Sequence, residues 1–152
     1  HLHRLLRMLV DTDVGGQTDF VHGLQESTAS IRHKGLTIVL SDFMDEPEKI
    51  VRSIARLRFA GSDVIAMQIY DPSERQLNFN SLTRFHDMEN NEIIVVDPLL
   101  IQNEYQQAFD NHMVAMKDCC RRHGFDYVAL PVADDYDVPL MAYVRRRMEL
   151  FT

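Results

Sequence analysis

The clearest pattern along the chain is an apolar run that ends on an acid. Residues 36–40, Leu-Thr-Ile-Val-Leu, lead straight into Ser41-Asp42, and helical spacing begins directly afterwards. A continuous apolar run predicts a strand buried on both faces, as in a parallel sheet covered by helices, rather than the alternation of a half-exposed strand. A second run over residues 63–70, Asp-Val-Ile-Ala-Met-Gln-Ile-Tyr, closes on Asp71-Pro72, and a third covers residues 125–130. Between the first two, Ile50, Ile54 and Leu57 recur at the helical interval. Pro47 fits the first turn of that helix, Asp45 and Glu48 have capping-box spacing, and Gly61 supplies the stop. Strand, helix and strand in this order make a βαβ unit.

The flanking segments fit the same plan. Leu2, Leu5, Leu6 and Leu9 predict an amphipathic helix, broken by residues 11–17 with Gly15-Gly16 as a flexible loop. Thr18 is placed to cap a second helix carrying Phe20, Leu24, Thr28 and Ile31 on one side. Residues 84–88 and 92–96 read as a β-hairpin outside the main sheet, turned at Glu89-Asn90-Asn91 because asparagine tolerates positive φ. Pro98 opens a long helix reaching about residue 123, with Ile101, Tyr105, Phe109, Met116 and Cys119 or Cys120 inward and Gly124 as its stop. A last helix after residues 134–137 turns Leu140, Tyr143, Val144 and Met148 inward and leaves Arg145, Arg146 and Arg147 solvated near its negative end. The expected fold is α/β, a single domain over residues 1–152 with a parallel, Rossmann-like sheet flanked by helices and a small hairpin excursion.

Composition narrows the function classes. The 152 residues are 45% hydrophobic and 26% charged, enough for one sizeable core, and the formal charge of -7 disfavours nucleic acid and anionic membranes as partners. No apolar run approaches the ~20 residues of a membrane span, and the first residues lack a signal-peptide pattern. Cys119 and Cys120 are neighbours on a helix whose side chains diverge, so they read as reduced thiols, and a cytoplasmic setting is expected. The chain starts at His1 rather than at a methionine, and a fragment, a processed product or a tag remnant is expected.

In open α/β sheets ligands gather outside the carboxyl ends of the strands. Asp42 at such an end, Thr18 at the mouth of a helix and Asp19 beside it are oxygen ligands of the kind that suit Mg²⁺ or Mn²⁺. The same residues also fit plain capping and turn roles. His22, His33, His86, His112 and His123 are scattered without zinc spacing, no nucleophile elbow occurs around Ser41, and residues 134–137 fit a capping loop.

Five landmarks in order, Gly15-Gly16-Gln17-Thr18-Asp19, residues 35–45, Asp71-Pro72-Ser73-Glu74, Phe85-His86-Asp87-Met88-Glu89 and Arg122-His123-Gly124-Phe125-Asp126-Tyr127, resemble a bacterial family. It is the von Willebrand factor A-like domain-of-unknown-function family found beside MoxR-type AAA+ ATPases. The resemblance implies a noncatalytic protein-interaction or assembly module with a Mg²⁺-dependent adhesion site in the intact domain, Thr18 and Asp42 as metal ligands, and a MoxR-type ATPase as partner. The family's Asp-x-Ser-x-Ser segment occurs nowhere in this chain, which is therefore expected to lack the first strands of the domain and to bind Mg²⁺ weakly or not at all. The strand at residues 36–40 is then expected to have an open edge that invites a homodimer. A competing reading takes Val10-Asp11-Thr12-Asp13-Val14-Gly15-Gly16 as the acidic motif of a small metal-dependent hydrolase, nucleoside hydrolase-like or phosphatase-like, using Asp11 and Asp13. It requires a strand before Asp11, where the leucine spacing is helical.

Overall fold

In the computed structural model, which describes residues 2–12, 22–24, 35–59, 61–87, 91–133 and 135–149, the three apolar runs form one parallel sheet. In chain order the described elements are α1 (Leu2–Val10), β1 (Leu36–Ser41), α2 (Pro47–Phe59), β2 (Asp63–Tyr70), α3 (Pro72–Arg75), β3 (Thr83–His86), β4 (Ile93–Val96), α4 (Pro98–Arg122), β5 (Asp126–Pro131) and α5 (Asp137–Glu149). The sheet order is β1-β2-β5, with Ile38 beside Ile65 and Met67 beside Val128. The expected α/β architecture with its parallel sheet and helical cover is present. The hairpin is a separate antiparallel pair, β3 with β4, and Asn91 takes the positive φ expected of it, 61°.

Both long helices of the core end by the same local chemistry. Gly61 and Gly124 adopt φ of 92° and 71°, and the amides after them, Ser62 and Phe125, reach back to the carbonyls of Leu57 and Cys120. This glycine-stopped closure satisfies carbonyls that the helix leaves orphaned, and it aims each chain into the next strand. At the start of α2, Glu48 does not close a capping box. Its carboxylate joins Cys119 and Arg122 of α4 instead, while Asp45 takes the Glu46 amide and the Lys49 ammonium, both at 2.7 Å. Tertiary pairing has displaced the local cap.

The two faces of the sheet are covered unequally. Val39, Val64 and Ala66 face α2 and α4 and pack with Ile50, Val51, Ile54, Leu57, Met116 and both cysteines. Burial desolvates the two thiols and raises them, Cys120 to about 12, so they behave as small core hydrophobes. On the other face α5 brings Leu140 and Tyr143 onto Ile65, Met67 and Val128. That cover does not reach β1. Leu36, Ile38 and Leu40 are 58%, 47% and 59% exposed, so β1 is buried on one face only, a correction to the expectation of two. The apolar stripe of α1 is likewise uncovered, with none of its residues buried. In α5, Val144 and Met148 are exposed, so its inner face is narrower than its spacing implies. No helix among the described residues is long and apolar enough to cross a membrane.

Candidate functional site

Parallel strands end on the same side, and β1 delivers Asp42 to that carboxyl edge. The residue is exposed, and local bonds set its turn. Its Oδ1 accepts from the Met44 amide at 3.3 Å and from the Ser41 hydroxyl at 3.4 Å, while the Phe43 amide donates to Ser41 Oγ at 3.1 Å. These are the side-chain-to-backbone contacts that make Asp and Ser turn formers. Among the described residues Asp42 makes no ion pair, and its Oδ2 makes no hydrogen bond.

Phe43 carries the strain of the turn. Its φ is 53°, left-handed for a residue with a β-carbon, yet its ring is 2% exposed and belongs to the α2/α4 core. A left-handed residue of this kind costs about 1–2 kcal/mol unless its surroundings impose it. Both carbonyls flanking its Cα are held. Gln68 Nε2 on β2 donates to the Asp42 carbonyl at 2.7 Å, and His112 Nε2 on α4 lies 2.8 Å from the Phe43 carbonyl. Gln68 is wholly buried, and its Oε1 accepts from the Tyr127 hydroxyl of β5 at 2.6 Å. Burial pushes the Tyr127 phenol far above its ordinary range, so it stays a donor. Beside the turn, Met44, Asp45, Glu46, Pro47 and His112 line an open depression of about 450 Å³. A second one, of about 470 Å³, lies past β5 between Pro131, Asp135, Val138, Pro139 and Ala142.

Of the two metal ligands expected from the sequence, Asp42 stands at the predicted edge, and Thr18 lies outside the described residues, as do Asp13 and Asp19. Asp42 and Ser41 offer hard oxygen donors of the right kind for Mg²⁺, but they are two where the ion takes about six. Among the described residues no three His, Cys, Asp or Glu side chains gather closely enough to hold a metal. By themselves the described residues do not fit a Mg²⁺ shell. Asp11 is exposed at the end of α1, its amide bonded to the Arg7 carbonyl, so a helix and not a strand precedes it.

Sequence reasoning missed Gln68, His112 and Arg147. Gln68 is the one amide in the otherwise apolar middle of β2, and that interruption was the available signal. His112 had none, because its partner is a backbone carbonyl 69 positions away. Arg147 is not a solvated helix end. It pairs with Asp126 at 2.6 Å and with Asp63, and Tyr143 also donates to Asp126, closing the amino edge of the sheet. Asp71, the acid after β2, caps α3 through the Ser73 amide at 2.8 Å, and that bond holds its carboxyl below the usual range.

No curated protein and no solved structure matches the chain. The family model described as protein of unknown function DUF58 matches residues 1–115, and the chain belongs to that family.

Proposed function

We propose that this chain is part of a von Willebrand factor A-like domain and works as a noncatalytic protein-interaction or assembly module. In this reading Asp42 and Thr18 are ligands of a Mg²⁺-dependent adhesion-type site in the intact domain, and a MoxR-type AAA+ ATPase is the partner. The observation that carries it is the exposed Asp42 carboxylate, with no cation paired to it among the described residues, at the carboxyl edge of a parallel sheet. Among the described residues Asp45, Asp63, Asp110 and Asp126 are ion-paired and Asp71 and Asp97 cap helices, and an acid left open at the carboxyl edge of a parallel sheet is suited to a ligand. The chain alone contributes a partial set of oxygens, so its own affinity for Mg²⁺ is weak.

Mn²⁺, which accepts the same oxygen donors, provides the probe. In the isotopically labelled protein, added Mn²⁺ is expected to broaden the amide signals of residues 17–19 and 41–46 before any others, and Asp42→Ala to abolish that selectivity. Broadening that is uniform, or unchanged in the variant, rejects the site.

The same reading includes self-association through β1. Among the described residues β1 pairs only with β2, and its segment Leu-Thr-Ile-Val-Leu carries no charge or proline to block its open edge. The pattern is nearly palindromic about Ile38. An antiparallel two-fold there sets Leu36 opposite Leu40 of a second copy and joins both exposed stripes on one face. Light scattering across a concentration series is expected to detect a dimer that Ile38→Lys dissolves. A monomer throughout excludes it.

A further inference from the structure

We infer that Gln68 and His112 are positioning residues: by anchoring the two carbonyls on either side of left-handed Phe43, they hold the Asp42 carboxylate outward. The inference rests on the reading of this edge as the functional one, but its test needs neither metal nor partner.

Three contacts over-determine the turn. The Phe43 ring is fixed in the core, the Asp42 carbonyl is tied to the central strand by Gln68, and the Phe43 carbonyl is tied to α4 by His112. With the ring fixed, rotation about the Phe43 backbone moves the preceding residue, so the direction of the Asp42 side chain depends on both ties. Packing alone does not explain an amide at position 68. A leucine or methionine there fills the same space without the roughly 1–3 kcal/mol that an unsatisfied buried polar group costs. The amide is accommodated because Tyr127 donates to one end of it and Asp42 accepts from the other, a relay across β5, β2 and the end of β1.

His112 adds a route from the surface. Its ring lines the depression beside Met44, Asp45, Glu46 and Pro47 while its Nε2 holds the turn. A group seated in that depression therefore meets the side chain that orients Asp42.

Amide hydrogen exchange and Cα chemical shifts of the labelled protein test this. In Gln68→Leu and in His112→Leu, exchange at the Phe43 and Met44 amides is expected to rise about tenfold, the factor of one lost hydrogen bond near 1.4 kcal/mol. Amides of the β1–β2 ladder should stay within about twofold, which separates loss of the turn from loss of the fold. His112→Gln, which restores a donor of similar reach, should recover protection that His112→Leu does not. If Gln68→Leu fails to fold, Tyr127→Phe removes only the hydroxyl that orients the amide and should loosen the turn by a smaller factor. Parent-like exchange and shifts at residues 41–46 in His112→Leu, together with parent-like values in Gln68→Leu or Tyr127→Phe, overturn the inference. Absence of Mn²⁺ broadening in the parent would reject the weak site proposed for this chain and leave this result standing.

Discussion

Asp42 at the carboxyl edge of the sheet and the two acids at its amino edge are held in opposite ways. At the amino edge Asp63 opens β2 and Asp126 opens β5, and Arg147 of α5 draws both together with the Tyr143 hydroxyl on Asp126. At the carboxyl edge Asp42 has no such cation among the described residues, and the protein holds the backbone around it instead, through Gln68 and His112. The first arrangement neutralises charge and closes the structure. The second fixes a carboxylate in place and leaves its charge available. The proposed ligand role of Asp42 fits the second arrangement, in which neighbours' hydrogen bonds hold the backbone and not the carboxylate.

Substitution of one member at each edge sharpens this contrast. Arg147→Met should have the largest effect on stability, about 1–2 kcal/mol in denaturant unfolding, because it removes the cation that Asp63 and Asp126 share; its side chain is 27% exposed, which keeps the figure below that of a buried pair. A loss near zero would break the comparison. Acid unfolding is the intermediate case. The hydrogen bond and charge of Arg75 hold the Asp110 carboxyl below its usual range, as the Ser73 amide does for Asp71. Their folded values lie below their unfolded ones, so the stability they contribute is complete above the ordinary carboxylate range and fades as pH falls through the folded values. Arg75→Met should flatten that acid dependence while leaving the Asp71 part in place, as read from unfolding midpoints between neutral pH and pH near 3. The smallest effect on stability is expected from Asp42→Ala, within about 0.5 kcal/mol, as for an exposed residue whose bonds are local. A loss well above that would make Asp42 structural and remove its distinction from Asp63 and Asp126.

The faces of the sheet show how far local pattern reaches. Ile50, Ile54 and Leu57 are buried as their spacing implies, because α2 lies against β1 and β2 within one βαβ unit. Leu36, Ile38 and Leu40 carry the same apolar signal and are exposed, because what covers them is a matter of which other element arrives. The same holds for α1, whose leucines mark a helix correctly and say nothing of a partner for it. Asp42 was legible as a site candidate from the strand that precedes it. The roles of its supporting residues were not, since a glutamine 26 positions after Asp42 and a histidine 69 positions after Phe43 act through backbone carbonyls, and side-chain order does not show which carbonyl a side chain reaches.

By itself the sequence determined where the three parallel strands, the hairpin and helices α1, α2, α4 and α5 run, where Gly61 and Gly124 stop α2 and α4, and that an acid follows β1, because these depend on side-chain periodicity and backbone freedom within a few residues. Only the tertiary structure decided which acids are neutralised, which face of β1 is covered and why Phe43 tolerates a left-handed backbone. Those outcomes depend on groups brought together from distant positions in the chain, and their energies exist only once the sheet and its helices have assembled.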